Sequence, residues 1–376
     1  MSAVGRIARV PTLADEQASG TGVRYRPPFP IRVGFFLEAA FHAPIILPVQ
    51  QHVQSRLPTL ISADLEEMVK FQPHIVVLAD HFEAYFRRLL PGTLIVWTRH
   101  GFSSKNYLRR SITWCDFACV SSEWVRDDLR GRAMRPMIDY WVTGFPAMDK
   151  ILTTPRPPNR SRAGGISTLL FAPTWNPGLT AAPLLTAEAL ANLRAAVPEM
   201  RIVIKPHPHI PELYPAVLAS WEAAARADPM IGLVADAHAD AFPLLADADV
   251  LLTDTSSLMF YYLAFDRPIV LIDPPKYWKS EAYDPTGYEW TWRDVGSRAV
   301  DAASLVAAVR RAVDAPLERA EQRALYRQRV FGRWDDGHAA ERIAERIFAL
   351  AAPAAEDERW VTSTWVTSSV LGRYLR

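Results

Sequence analysis

Ile202-Val203-Ile204-Lys205-Pro206-His207-Pro208 and Val250-Leu251-Leu252-Thr253-Asp254-Thr255-Ser256-Ser257 decide the fold. Each is an apolar, strand-like run that stops abruptly at polar or ring-constrained residues. In a parallel α/β sheet, ligands bind beyond the carboxyl ends of such strands. The two prolines fix φ at their own positions and remove N–H donors, so 205–208 is a rigid exit that aims Lys205 and His207. A cation, an imidazole and a pair of hydroxyls on one rim suit an anionic ligand, and a phosphorylated donor is the one expected.

Working outward from these exits, apolar runs alternate with amphipathic stretches along the chain. In the first half the strand-like runs are 31–37, 74–79, 93–98, 117–120 and 140–143, with helices expected at 63–71 and 123–129. In the second half they are 167–172, 201–205, 231–234, 250–253 and 268–272. Helices are expected there at 186–196, 212–225, 240–245, 258–265, 301–313 and 338–350. Between the halves, residues 153–165 read TTPRPPNRSRAGG and mark a linker. The expected class is α/β with the GT-B architecture: two Rossmann-like domains with parallel sheets facing a central cleft. Its divisions are a loose arm over 1–30, a first domain over 31–155, a second over 166–345 and a helical tail over 346–376.

Composition agrees with this. A chain of 376 residues with 49% apolar content can build two cores, and wholesale disorder is excluded. A formal net charge of +1 gives no global attraction to nucleic acid, and none is expected as a partner. Cys115 and Cys119 are not in a C-x-x-C arrangement, so neither a disulfide framework nor a zinc site is expected. His209 has no acidic third ligand nearby in sequence to join it and His207 on a metal, so no metal and no cofactor are expected. The N-terminus lacks an apolar leader, and no stretch is long enough to span a bilayer. These absences make a cytoplasmic enzyme the expectation.

Chemistry-bearing residues gather at strand ends. After 250–253, Asp254 turns the chain, and a helix starting near Ser256 would offer free N–H groups to phosphate beside the hydroxyls of Thr255, Ser256 and Ser257. Plain helix capping by Ser or Asp explains the same residues equally well. Arg99-His100-Gly101 ends the strand-like run 93–98. Glycine there permits an unusual turn and close ligand approach, and His100 is placed as a general base. The alternative is a surface histidine in a turn. Phe171-Ala172-Pro173-Thr174-Trp175 supplies either an aromatic wall for a base or a buried structural tryptophan.

In this order the segments resemble the CDP-glycerol glycerophosphotransferases of teichoic-acid and capsule synthesis. The resemblance rests on His100-Gly101, Gly144-Phe145-Pro146 with Asp149, Ala172-Pro173-Thr174-Trp175, Lys205-Pro206-His207-Pro208, Thr253-Asp254 with Ser256-Ser257, and Asp336-Gly337 with Arg342. It covers roughly residues 90–345. Ala147 and Asn176 stand where a basic residue is common in that family. The resemblance implies a GT-B fold, an acceptor-side first domain, a donor-binding second domain, CDP-glycerol as donor, and no required metal. It implies His100 as base and His207 on phosphate. Lys205, Thr174, Gly101, Asp254, Thr255, Ser256, Ser257 and Arg342 are the substrate-binding residues expected with them.

The expected reaction transfers glycerol phosphate to a hydroxyl of a polysaccharide or lipid-linked acceptor and releases CMP. A GT-B glycosyltransferase using a nucleotide sugar would use the same cradle. A nucleotide-sugar epimerase relative is a further alternative, given Val142-Thr143-Gly144, as is an inactive nucleotide-binding scaffold. The aromatic tail, with Trp360, Trp365, Tyr374, Arg373 and Arg376, reads either as a helix packed back across the domains or as a contact with the membrane surface.

Overall fold

The computed structural model describes residues 30–99, 101–102, 107–154, 167–234, 236 and 238–352, with only the backbone described for 107–110. The expected arm (apart from residue 30), most of the linker, His100 and the tail from residue 353 lie outside the described residues.

Two six-stranded parallel sheets form the frame. The first has the order β2(Thr59–Ser62)-β1(Val33–Phe36)-β3(Ile75–Leu78)-β4(Leu94–Trp97)-β5(Phe117–Val120)-β6(Asp139–Val142). The second has the order β12(Ser297–Ala299)-β11(Ile269–Ile272)-β10(Val250–Thr253)-β7(Ser167–Phe171)-β8(Met200–Ile204)-β9(Ile231–Leu233). Every strand pairing is parallel. Strand order reverses between β1 and β3 in the first sheet and between β7 and β10 in the second. Such switch points open a crevice beyond the strand ends.

The interior strands β3, β4, β5 and β11 carry apolar residues at every position because both faces are covered. In β10, Leu251 faces a core shared with the first domain, whereas Val250 and Leu252 face the core under the helices Ala187–Ala196, Pro215–Ala227 and Ala302–Asp314. The shared core is the larger one. It runs without interruption from Val33 through Phe102, Phe145 and Leu170 to Tyr261, Phe331 and Ile347. Phe102 packs edge-on against Tyr261 at 5.3 Å, and Phe145 stacks on Tyr261 at 4.9 Å between centroids. The two domains are therefore joined by a core. Cys115 and Cys119 are buried free thiols within it, pushed up in pKa by burial.

The last helix departs from the expected division. Ala339–Ala351 runs across the 345/346 boundary and packs on the helix Ala43–Val53 of the first domain. Its buried face is Ala340, Ile343, Ala344 and Ile347, and burying each isoleucine contributes about 2–3 kcal/mol. Asp149 of the first domain caps its start, accepting from Ala339 N at 3.0 Å and Ala340 N at 2.8 Å. Gly337 enters this cap at φ +77°, and a Cβ there would lie 2.4 Å from Thr153 Cγ2. Only glycine fits both the φ and the space.

Candidate active site

The switch point of the second sheet is built around Asp254. Its carboxylate is fully buried. Oδ1 accepts from Thr174 N at 2.8 Å, Thr255 N at 2.7 Å and Ser256 N at 3.2 Å, and Oδ2 accepts from Ala181 N at 2.7 Å. Burial pushes its pKa up, while these N–H groups and the nearby Arg293 pull the other way. Arg293 braces the turn from behind, donating to Asp254 O at 3.0 Å and Ile272 O at 2.8 Å and pairing with Asp273 at 2.5 Å. Asp254 was expected to touch substrate. Instead it ties the loop after β7 to the turn after β10, and both of its oxygens are spent on backbone.

Thr255 and Thr174 lie in the same buried layer. Thr255 Oγ1 has no hydrogen-bond partner among the described residues. Thr174 uses its hydroxyl on Asn176 Oδ1 at 3.3 Å and its carbonyl on Thr180 Oγ1 at 2.7 Å. What reaches the rim is Pro173, Ser256 and Ser257. The helix after the turn, Leu258–Tyr262, has five residues and continues as a 3-10 turn. Its dipole is correspondingly weak, so a short helix of this kind offers an anion less than a long one would.

Beyond this rim is a cavity of about 300 Å³ between the domains. The second domain lines it with Lys205, His207, Ser256, Ser257, Tyr261 and the segment from His238 to Phe242, and the first domain with Ala40, Phe41, Ala43 and Pro44. Lys205 is largely buried, and its Nζ donates to Pro206 O at 2.9 Å. Burial lowers its pKa to about 8, while the charges of Asp236 and Asp240 pull it up. His207 is half-buried with its ring beside Trp175 at 6.0 Å. Its Nδ1 accepts from His209 N at 3.3 Å, so the neutral imidazole carries its proton on Nε2. Trp175 thus buttresses the two histidines.

The first domain reaches this rim through Gly101. A Cβ on Gly101 would lie 3.2 Å from Ser257 Oγ and 3.8 Å from Tyr261 Oη. The His-Gly and Ser-Ser segments, far apart in sequence, therefore meet across the cleft. His100, next to Gly101, lies outside the described residues. Arg342 is the other departure. Its guanidinium pairs with Asp336, donates to Thr143 O at 3.1 Å and lies 4.6 Å over the Trp334 ring. It fastens the last helix to the first domain and is not among the cavity-lining residues.

Two walls escaped the sequence reading. Residues 40–44 enter the helix Ala43–Val53 through a 3-10 turn, with nothing in their composition to mark a ligand site. The 238–242 segment was legible only as a helix start. At the switch point of the first sheet, Asp80 lies 3.8 Å from buried His42 and 3.4 Å from His81, whose Nδ1 also bonds Ser111. Asp80-His81 follows β3 after Ala79 and was a readable strand exit. Among the described residues, no group of three or more His, Cys, Asp or Glu is placed to hold a metal.

The sequence profile of the CDP-glycerol:poly(glycerophosphate) glycerophosphotransferase family matches residues 96–349. No curated protein sequence matches the chain. Among solved structures, the wall teichoic acid polymerase TagF, in a variant soaked with CDPG, is similar at 14% identity and a TM-score of 0.61. That match covers 86% of this chain and 89% of the other. The UDP-GlcNAc 2-epimerase of Neisseria meningitidis is similar at 12% identity and a TM-score of 0.55, covering 85% of this chain and 99% of the other. Both likenesses are of fold, and they bear out the GT-B architecture. The profile match spans both the His-Gly and the Ser-Ser rims and carries more weight than the epimerase likeness: the chain belongs to the CDP-glycerol:poly(glycerophosphate) glycerophosphotransferase family and is a CDP-glycerol glycerophosphotransferase.

Proposed function

We propose that the interdomain cavity is where glycerol phosphate passes from CDP-glycerol to an acceptor hydroxyl, and that the acceptor is a cell-envelope polysaccharide or a lipid-linked glycerol phosphate chain. The hydroxyl oxygen attacks the β-phosphorus, the bond from that phosphorus to the bridging oxygen breaks, and CMP leaves with the bond's electrons. His100 takes the hydroxyl proton. Lys205, His207, Ser256 and Ser257 hold the diphosphate and stabilise charge on the departing CMP. Asp254 and Thr174 position these groups from below.

The observation that carries this reading is the approach of Gly101 to Ser257 beside the Lys205 cavity. This approach supports a reading in which the segment carrying His100 serves as the base side and Ser256-Ser257 as the phosphate side. The test is CMP release from CDP-glycerol with a glycerol phosphate acceptor. His100→Ala should lower kcat by at least a hundredfold with little change in donor affinity. Ser256→Ala should weaken donor binding. Full turnover by folded His100→Ala removes the base assignment, and unchanged donor affinity in Ser256→Ala removes the cradle.

The tail supports a second part of the proposal, that the enzyme works at a membrane surface where a lipid-linked acceptor is held. No described helix is long and apolar enough to cross a bilayer. Trp360, Trp365 and Tyr374 with Arg373 and Arg376 have the composition of an interfacial segment. The protein should sediment with anionic liposomes, and truncation after Glu358 should abolish this. Sedimentation that survives truncation would place the contact elsewhere.

A further inference from the structure

One carboxylate in the cavity runs against the charge of its ligand. Asp240 lines the same space as Lys205, Ser256 and Ser257. An ionised carboxylate is an acceptor only, so it cannot serve a phosphate, and at this range it repels one. It is nevertheless held in place: Oδ1 accepts from Phe242 N at 2.9 Å, at the start of the helix Phe242–Asp247. Its charge, with that of Asp236, favours the Lys205 ammonium. Once a diphosphate occupies Lys205, Asp240 needs donors from elsewhere in the ligand. Asp236 is used differently, its Oδ1 accepting from His238 N at 2.8 Å, and it is not among the lining residues.

CDP-glycerol carries two vicinal diols, one on the ribose and one on the glycerol. Carboxylates read ribose hydroxyls in other α/β nucleotide sites, because two O–H donors match an anionic acceptor. We propose that Asp240 is a specificity-determining residue whose carboxylate accepts hydrogen bonds from a vicinal diol of the donor; this rests on the cavity being the donor site. Because Phe242 N already fixes the carboxylate, little freedom is lost when the diol binds. The same contact offsets the repulsion between Asp240 and the diphosphate, and a donor lacking the diol meets that repulsion uncompensated.

The experiment measures donor dissociation constants by calorimetry on the full chain. The ligands are CDP-glycerol, its 2′,3′-dideoxyribose analogue and CDP-propanol, which lacks the glycerol diol. Wild type should bind one of the two analogues about tenfold more weakly than CDP-glycerol. Loss on the dideoxy arm assigns the ribose, and loss on the propanol arm assigns the glycerol. Asp240→Ala should bind CDP-glycerol about tenfold more weakly and no longer distinguish it from that analogue. Tighter or unchanged CDP-glycerol binding by Asp240→Ala overturns the proposal, as does discrimination that survives the substitution. Lys205→Ala separates the two levels: it should weaken all three ligands alike. If it weakens none, the donor-site reading fails, whatever Asp240→Ala does.

Discussion

Lys205 is the residue whose environment most directly sets a measurable behaviour. Burial favours its neutral amine, so the folded protein releases this proton near pH 8 and the unfolded chain near 10.5. Between those values the unfolded state binds more protons, so this group's contribution to stability rises with pH, and its cost is fully present below pH 8. With Lys205 in its proposed role on the diphosphate, donor binding responds in the opposite direction, because that role needs the ammonium. The kcat/KM for CDP-glycerol should be level in this group's titration below about pH 8 and fall above it, approaching tenfold per pH unit. Lys205→Arg should move the fall to higher pH, since a guanidinium stays charged. An unchanged fall in that variant assigns it to another group.

At the scale of elements, the turn after β10 depends on one carboxylate serving four backbone N–H groups. Asp254→Asn replaces one acceptor oxygen with an N–H2 that faces a donor, so the loop from 172 to 182 loses its tie. The variant should lose about 2–4 kcal/mol in urea unfolding and bind CDP-glycerol poorly even where folded. Full donor affinity in that variant would show that the turn holds without its carboxylate.

Elements of this kind also show what was readable in advance. β3, β4, β5 and β11 are unbroken apolar runs, because both their faces are covered, and they were found within a residue of their bounds. β2 and β12 were missed. Both are edge strands, and β12 is Ser297-Arg298-Ala299, held by pairing to β11 and by the ion pair of Arg298 with Asp273, with no apolar pattern to see. The helix Ala43–Val53 buries one face, Ile45, Ile46, Val49, Gln50 and Val53, but its prolines at 44 and 48 read as breakers and mask it. At the site, Lys205, His207, Ser256 and Ser257 were readable because each follows a clear strand. The burial of Asp254 and the fastening of Arg342 to Thr143 O were not, since the one depends on depth beneath a surface and the other on a partner distant in sequence. Asp240 and residues 40–44 became part of one cavity only once the two sheets were brought face to face.

Across the whole molecule the decisive feature is the shared core. Besides the ring cluster at Phe102, Phe145 and Tyr261, the second half grips the first through Ser121 Oγ to Val330 O at 2.5 Å and Ser122 Oγ to Arg329 O at 2.5 Å. Trp334 Nε1 adds a bond to Glu123 Oε2 at 2.8 Å. Parting the domains would expose Phe102, Tyr261 and Phe331 to water. Calorimetric melting should therefore be a single transition whose van't Hoff and calorimetric enthalpies agree. Two resolved peaks would mean that the halves are stable apart. The helix Ala339–Ala351 adds a constraint of timing. A ribosome at about 5–20 residues per second makes Ile45, Ile46, Val49 and Val53 early and the helix that covers them last, so the first domain waits tens of seconds for its final piece. During that interval the nascent chain presents an apolar groove open to chaperones, and the half synthesised first is finished only after the half synthesised second.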